Sequence, residues 1–344
     1  MKRILLSVAF LAFSLHAAQD LIDMAKAAGL KPIPASQAEL MKVIEQKDNP
    51  LTPEKIQLGK KLYFDPRLSK SGIISCNTCH NLGLGGVDGV PTSVGHRWEP
   101  NPHHLNSPTV YNSVFNSVQF WDGRSPHLAD QAMGPIQAIP EMALSAETAV
   151  ARIGSIPAYV KEFERSFSGK DPVTFENIGK AIAAFEATLV TPSRYDDFLN
   201  GDTRALSKAE QEGLRTFIEK GCAACHNGIG TGGATMEAFA WEGQYEYADI
   251  GDFSGNEDGL VRTPTLRNIT ETAPYFHNGT VWDLHEAVEI MANIQLGMEL
   301  TQGEIGSIVT FLEALEGRKP EVVYPMLPAS TADTPRPQPF YEHQ

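Results

Sequence analysis

Apolar residues recur every three or four positions in several stretches of the chain, and no stretch alternates apolar and polar residues long enough to read as a strand. The pattern predicts a mainly α fold. Residues 53–64 read as one helix. Between Thr174 and Leu189, the side chains of Phe175, Ile178, Ile182, Phe185 and Leu189 fall on one stripe, the mark of a helix facing a core. Ser207 with Glu210 and Thr301 with Glu304 have capping-box spacing, in which a hydroxyl and a carboxylate satisfy the first free amides of a helix. Ile305, Ile308, Phe311, Leu312 and Leu315 follow the second box, and Gly317 is expected to end that helix.

Two long stretches, 83–107 and 228–274, show neither period. Irregular segments of that length in a compact chain usually serve function or wrap a ligand. A further stretch from Lys319 to Gln344 is rich in proline and reads as an extended tail. At the other end, Lys2 and Arg3 precede an apolar run from Ile4 to Leu15, with the small residues Ala17 and Ala18 behind it. That is the layout of a secretory signal, and the run falls short of the roughly 20 apolar residues of a membrane span. Cleavage is expected near Ala17 or Ala18, with the mature chain exported to the periplasm and not membrane-spanning. The expected divisions are a signal peptide over 1–18, one domain over 19–200, a second over 201–320 and the tail over 321–344, with 191–202 as the linker.

The formal net charge of −14 removes nucleic acid from the expected partners, because binding phosphates needs a basic surface. It suits a small protein partner with a positive face, and acidity alone also keeps an exported protein soluble.

Cysteine use decides more than charge does. The four cysteines form two C-x-x-C pairs, Cys76 with Cys79 and Cys222 with Cys225, and a histidine follows each pair directly, His80 and His226. C-x-x-C-H is the attachment motif of c-type haem, with two thiols for the porphyrin and an imidazole for the iron. A zinc site would need its halves closer together, and a thioredoxin-like pair would need a βαβ setting. Plain disulfides would suit export but leave the histidines unexplained. The chain is therefore expected to carry two covalent haems, one in each of two cytochrome c-like domains with long irregular loops.

The sixth iron ligand sets the potential and decides whether substrate can bind. In the C-terminal half the candidates are Met236, Met291 and Met298, and Met291 in "AVEIMANIQLG" is preferred. The N-terminal half has no suitable methionine apart from Met133 and Met142, and its histidines are His96, His103, His104 and His127. In "SCNTCHNLGLGGVDGVPTSVGH" the Gly-rich loop ends on His96, which reads as a removable sixth ligand.

With "CNTCH", "GGVDGVPTSVGH", "NSPTVYN", "QFWDGR", "QAMGPIQAIPEM", "CAACH", "RTPTLRN", "APYFHNG" and "MANIQLG" in order, the chain resembles the bacterial di-haem cytochrome c peroxidase family from about Leu51 to Gly317. The resemblance implies that Cys76 and Cys79 hold the peroxidatic haem, with His80 proximal and His96 the distal histidine that leaves on activation. Cys222 and Cys225 hold the high-potential haem, with His226 and Met291 as its axial pair. Trp121 resembles the tryptophan between the haems, and Gln131 and Glu141 the glutamine and acid–base glutamate of the peroxide pocket. Asn106, Thr272 and Pro274 resemble the residues holding a calcium ion. The family implies hydrogen peroxide as substrate, a small c-type cytochrome or cupredoxin as electron donor, and a homodimer. Relatives that oxidise another protein typically carry tyrosine at the Met291 position.

Overall fold

The computed structural model of the chain describes residues 16–239 and 244–338. The apolar run of the expected signal lies outside the described residues, and Ala17 and Ala18 lie in a helix, α1, over 16–27. Then follow α2 (Gln37–Ile44), α3 (Pro53–Tyr63), α4 (Cys76–Cys79), α5 (Leu128–Gln137), α6 (Ala146–Gly154), α7 (Pro157–Ser166) and α8 (Phe175–Glu186). The second half contributes α9 (Arg194–Leu199), α10 (Lys208–Glu219), α11 (Leu284–Gln295) and α12 (Gln302–Glu313). Within the stretch read as irregular, β1 (Met236–Ala238) and β2 (Leu260–Arg262) pair antiparallel, too short for any period to show.

The helix starts follow the local chemistry. Thr52 caps α3 ahead of Pro53, whose missing amide costs nothing at a first turn. Both predicted capping boxes close: the Ser207 amide donates to the Glu210 carboxylate at 2.7 Å, and the Thr301 amide to that of Glu304 at 2.8 Å. Gly317 has another job. The helix α12 ends at Glu313, and a side chain on Gly317 would meet the Thr191 carbonyl oxygen at 2.1 Å. Glycine is required there by a close crossing of two segments, not by a helix stop.

Two buried clusters organise the molecule. One joins Leu58, Leu62 and Tyr63 of α3 to Ile136 of α5, Phe163 of α7, and Ile178, Ile182 and Phe185 of α8. The other joins Leu21 and Ile22 of α1 to Tyr195 and Phe198 of α9, Phe217 of α10 and Phe311 of α12. The stretch 191–202 is thus no loose linker. It forms α9, and Asp196 there takes a bidentate, fully buried ion pair from Arg267 at 2.8 and 2.9 Å.

The chain ends cross over. The N-terminal α1 packs with the C-terminal cluster, and Gly228 donates to the Gly29 carbonyl at 3.0 Å. The Pro-rich tail runs back over the N-terminal half. Arg67 donates to the Pro328 carbonyl at 2.8 Å, the Tyr324 ring lies 4.4 Å from that of Phe64, and Gln338 donates to the Lys70 carbonyl at 2.9 Å. Each end of the chain thus packs against residues of the opposite half.

Candidate active site

Cys76, Cys79 and His80 open onto one cavity, and Cys222, Cys225 and His226 onto another. In the first, the four-residue α4 presents the two thiols. The Tyr63 hydroxyl donates to the His80 carbonyl at 2.5 Å, and His80 Nδ1 lies 3.0 Å from the Pro108 carbonyl, which orients the ring and leaves Nε2 to the cavity. Burial lowers the His80 pKa, and pushes that of His226 down to about 4. Both imidazoles are neutral at neutral pH, the state a metal requires.

The cavities differ in what else faces them. Met291, on α11, lines the C-terminal cavity; Met236 and Met298 do not. Gln131, on α5, and Glu141 line only the N-terminal cavity, which Met142 also borders. Desolvation raises the Glu141 pKa against the opposing pull of Arg124 and His103. Trp121 borders both cavities, buried, with its indole N–H donating to the Asn106 carbonyl at 2.9 Å. A tight turn holds it: Gln119 donates to the Ser125 carbonyl at 2.8 Å, and Phe120 sits at a φ of 66°. Such a conformation costs a non-glycine residue about 1–3 kcal/mol and tends to mark functional positions.

His96 is not in the cavity lining. Its amide donates to the Glu141 carbonyl at 2.6 Å, and a side chain on Gly95 would meet the Pro140 carbonyl oxygen at 2.3 Å. The ring is buried with Nδ1 unpartnered. Of the other histidines of this half, His103 pairs with Asp252 at 3.0 Å, His127 caps α5, and His104 has Nδ1 buried without a partner. The loop's first glycines are packed rather than free, since a side chain on Gly86 would lie 2.8 Å from the Tyr111 ring.

A family model described as di-haem cytochrome c peroxidase matches residues 53–204. The chain is 48% identical to the cytochrome c551 peroxidase of Pseudomonas aeruginosa, over 93% of each chain. It is 47% identical to that of Nitrosomonas europaea, covering 84% of this chain and 89% of the relative. Among solved structures, a MauG-like protein associated with microbial copper homeostasis superposes with a TM-score of 0.68 at 28% identity, covering 79% of this chain and 92% of the other. The chain belongs to the di-haem cytochrome c peroxidase family. It is an enzyme of that kind.

Family membership implies two haems, and the residues present fit them. All four thiols are free, and burial pushes their pKa values up, to about 12 for Cys79 and about 11 for Cys222. Neither pair sits in the electropositive setting that activates redox or metal-binding cysteines. Among the described residues no group of three or more His, Cys, Asp or Glu could hold a metal ion. Asn106, Thr272 and Pro274 all border the C-terminal cavity. The Asn106 side-chain N–H donates to the Val90 carbonyl at 3.0 Å, while its Oδ1 and the carbonyls of Thr272 and Pro274 accept no hydrogen bond among the described residues. Free oxygens of this kind are what a calcium ion takes.

Two site residues are absent from the sequence reading. Glu186 ends α8 beside the N-terminal cavity, buried, with Oε2 unpartnered, and burial raises its pKa to about 8. Arg262 ends β2 and lines both cavities. The one available signal for Glu186 was a carboxylate inside the apolar run "AIAAFEATLV". Nothing in the sequence marked Arg262 within "RTPTLRN".

Proposed function

We propose that this chain is an exported di-haem peroxidase that reduces hydrogen peroxide to water with electrons from a small soluble cytochrome c or cupredoxin. The observation that carries this reading is which side chains stand beside each C-x-x-C-H unit: Glu141, its pKa raised by burial, and Gln131 line the N-terminal cavity with Met142, and Met291 lines the C-terminal one with Glu237 and Gln295. Haem, when bound, supplies the iron that exchanges electrons with donor and peroxide.

His80 and His226 would hold the irons, and Cys76, Cys79, Cys222 and Cys225 would hold the porphyrins. Met291 would supply the further ligand of the C-terminal site, where thioether ligation would favour a high potential. In the N-terminal site Glu141 takes a proton from one peroxide oxygen and returns it to the departing one. Burial raises its pKa towards the range in which a carboxyl can both take and return a proton. Gln131 orients the substrate from α5. Trp121 fills the space between the cavities. His96 would be the removable ligand of the N-terminal site, a reading supported by its amide bond to the Glu141 carbonyl, which keeps it next to that site. Asn106, Thr272 and Pro274 hold calcium beside Trp121. Two domains of cytochrome c type, a cleaved signal over 1–18, a periplasmic location and a homodimer complete the reading.

Steady-state peroxide turnover in Glu141→Gln tests it. The variant keeps shape and loses the transferable proton, so turnover falls by about 10²–10⁴ at unchanged haem content. Full activity would remove Glu141 from the reaction.

A further inference from the structure

We propose that Arg262 is the cationic seat for haem carboxylates at the junction of the two cavities, and that its charge raises the reduction potential on both sides. The proposal rests on the two-haem reading above. The backbone fixes the residue first. The Arg262 amide donates to the Trp121 carbonyl at 2.8 Å, and its Nε donates to the Phe120 carbonyl at 3.1 Å. The guanidinium is thereby tied to the turn that carries Trp121. It is 3% exposed, and Nη1 is buried without a hydrogen bond.

The two other buried guanidiniums among the described residues have more partners, although Arg152 Nε is also without one. Arg267 pairs with Asp196, and Arg152 is caged by the carbonyls of Arg67, Ser69, Lys70 and Arg336. Arg262 has one carbonyl on its side chain, and no carboxylate among the described residues pairs with it. A buried cation with no counter-charge costs several kcal/mol. Burial lowers its pKa to about 10, so it remains charged at neutral pH. The compensating anion must come from a cavity, and Arg262 lines both. The group each cavity is built to take carries carboxylates on one edge, and a guanidinium fork matches a carboxylate in shape and charge. A fixed positive charge there favours the reduced, more negative state of each haem.

The test is spectroelectrochemical titration of haem-loaded Arg262→Gln and Arg262→Lys. Loss of the charge in Arg262→Gln lowers both midpoint potentials, by about tenfold or more in the reduction equilibrium, which is about 59 mV for one electron. Lysine keeps the charge without the fork and recovers part of the shift. Potentials within about twofold of wild type in Arg262→Gln, at two haems per chain, overturn the proposal. If the glutamine variant does not hold haem, Arg262→Met reads the same loss of charge: lowered potentials support the proposal and unchanged ones overturn it. A wild-type chain without covalent haem fails the underlying reading instead, which a haem assay reports separately.

Discussion

Glu186 keeps its proton at neutral pH because nothing beside it compensates a negative charge: it is 5% exposed and desolvation alone raises its pKa to about 8. The unfolded chain releases that proton near pH 4.3. Between these values the native state binds more protons, so the contribution to stability is greatest below about pH 4, declines as pH rises, and levels off above about pH 8. In Glu186→Gln this slope disappears. The stability of wild type relative to the variant should fall by up to about 5 kcal/mol between acid and mildly alkaline pH. Unfolding free energies of both proteins at pH 5 and pH 8.5 check this, and a constant difference would contradict it. The contrast with the haem motifs is instructive. Cysteines and histidines of a C-x-x-C-H unit are legible because the chemistry fixes their local spacing. Glu186 and Arg262 owe their character to burial by distant segments, which no local pattern encodes.

Helices α3 and α8 touch backbone to backbone, and this contact positions the first haem motif. A side chain on Gly59 would lie 1.8 Å from the Ala181 carbonyl oxygen and 3.1 Å from Phe185 Cβ. Phe185 packs edge-on against Tyr63, their ring centroids 5.3 Å apart, and Tyr63 holds the His80 carbonyl. Gly59→Ala gains helix propensity but must force backbones apart, with no flexible side chain to yield. Overpacking of this kind costs about 1–3 kcal/mol, occasionally more. A lowered Tm together with weaker occupancy of the N-terminal site is the expected outcome, and a Tm at or above wild type would contradict the packing. The elements themselves were legible where caps and apolar stripes coincide, as in α8, α10 and α12. The strands β1 and β2 and the helix α9 were not, because three to six residues carry too little periodicity.

At the scale of the whole molecule, the ends of the chain bind the halves together. Leu21, Ile22, Ala25 and Leu30 belong to the C-terminal cluster, and the tail straps the N-terminal half up to Gln338. Asn77, inside the first haem motif, donates to the Tyr324 hydroxyl of that tail at 2.9 Å. The sequence assigns 19–200 to one domain and reads 321–344 as an extended tail, since contacts between residues about 250 positions apart leave no trace in local composition. Among the described residues no helix is long and apolar enough to cross a membrane. The central claim is that the two cavities are unequal: one holds a closed electron-transfer site on His226 and Met291, the other a site that opens beside Glu141. Cyanide reports this directly, because it binds an iron only where the sixth position is free or can be vacated. Titration of the haem-loaded protein, reduced by one electron per chain, should end at one cyanide per chain. An endpoint of none, as for a pure electron carrier, or of two, as for equivalent sites, would contradict the account.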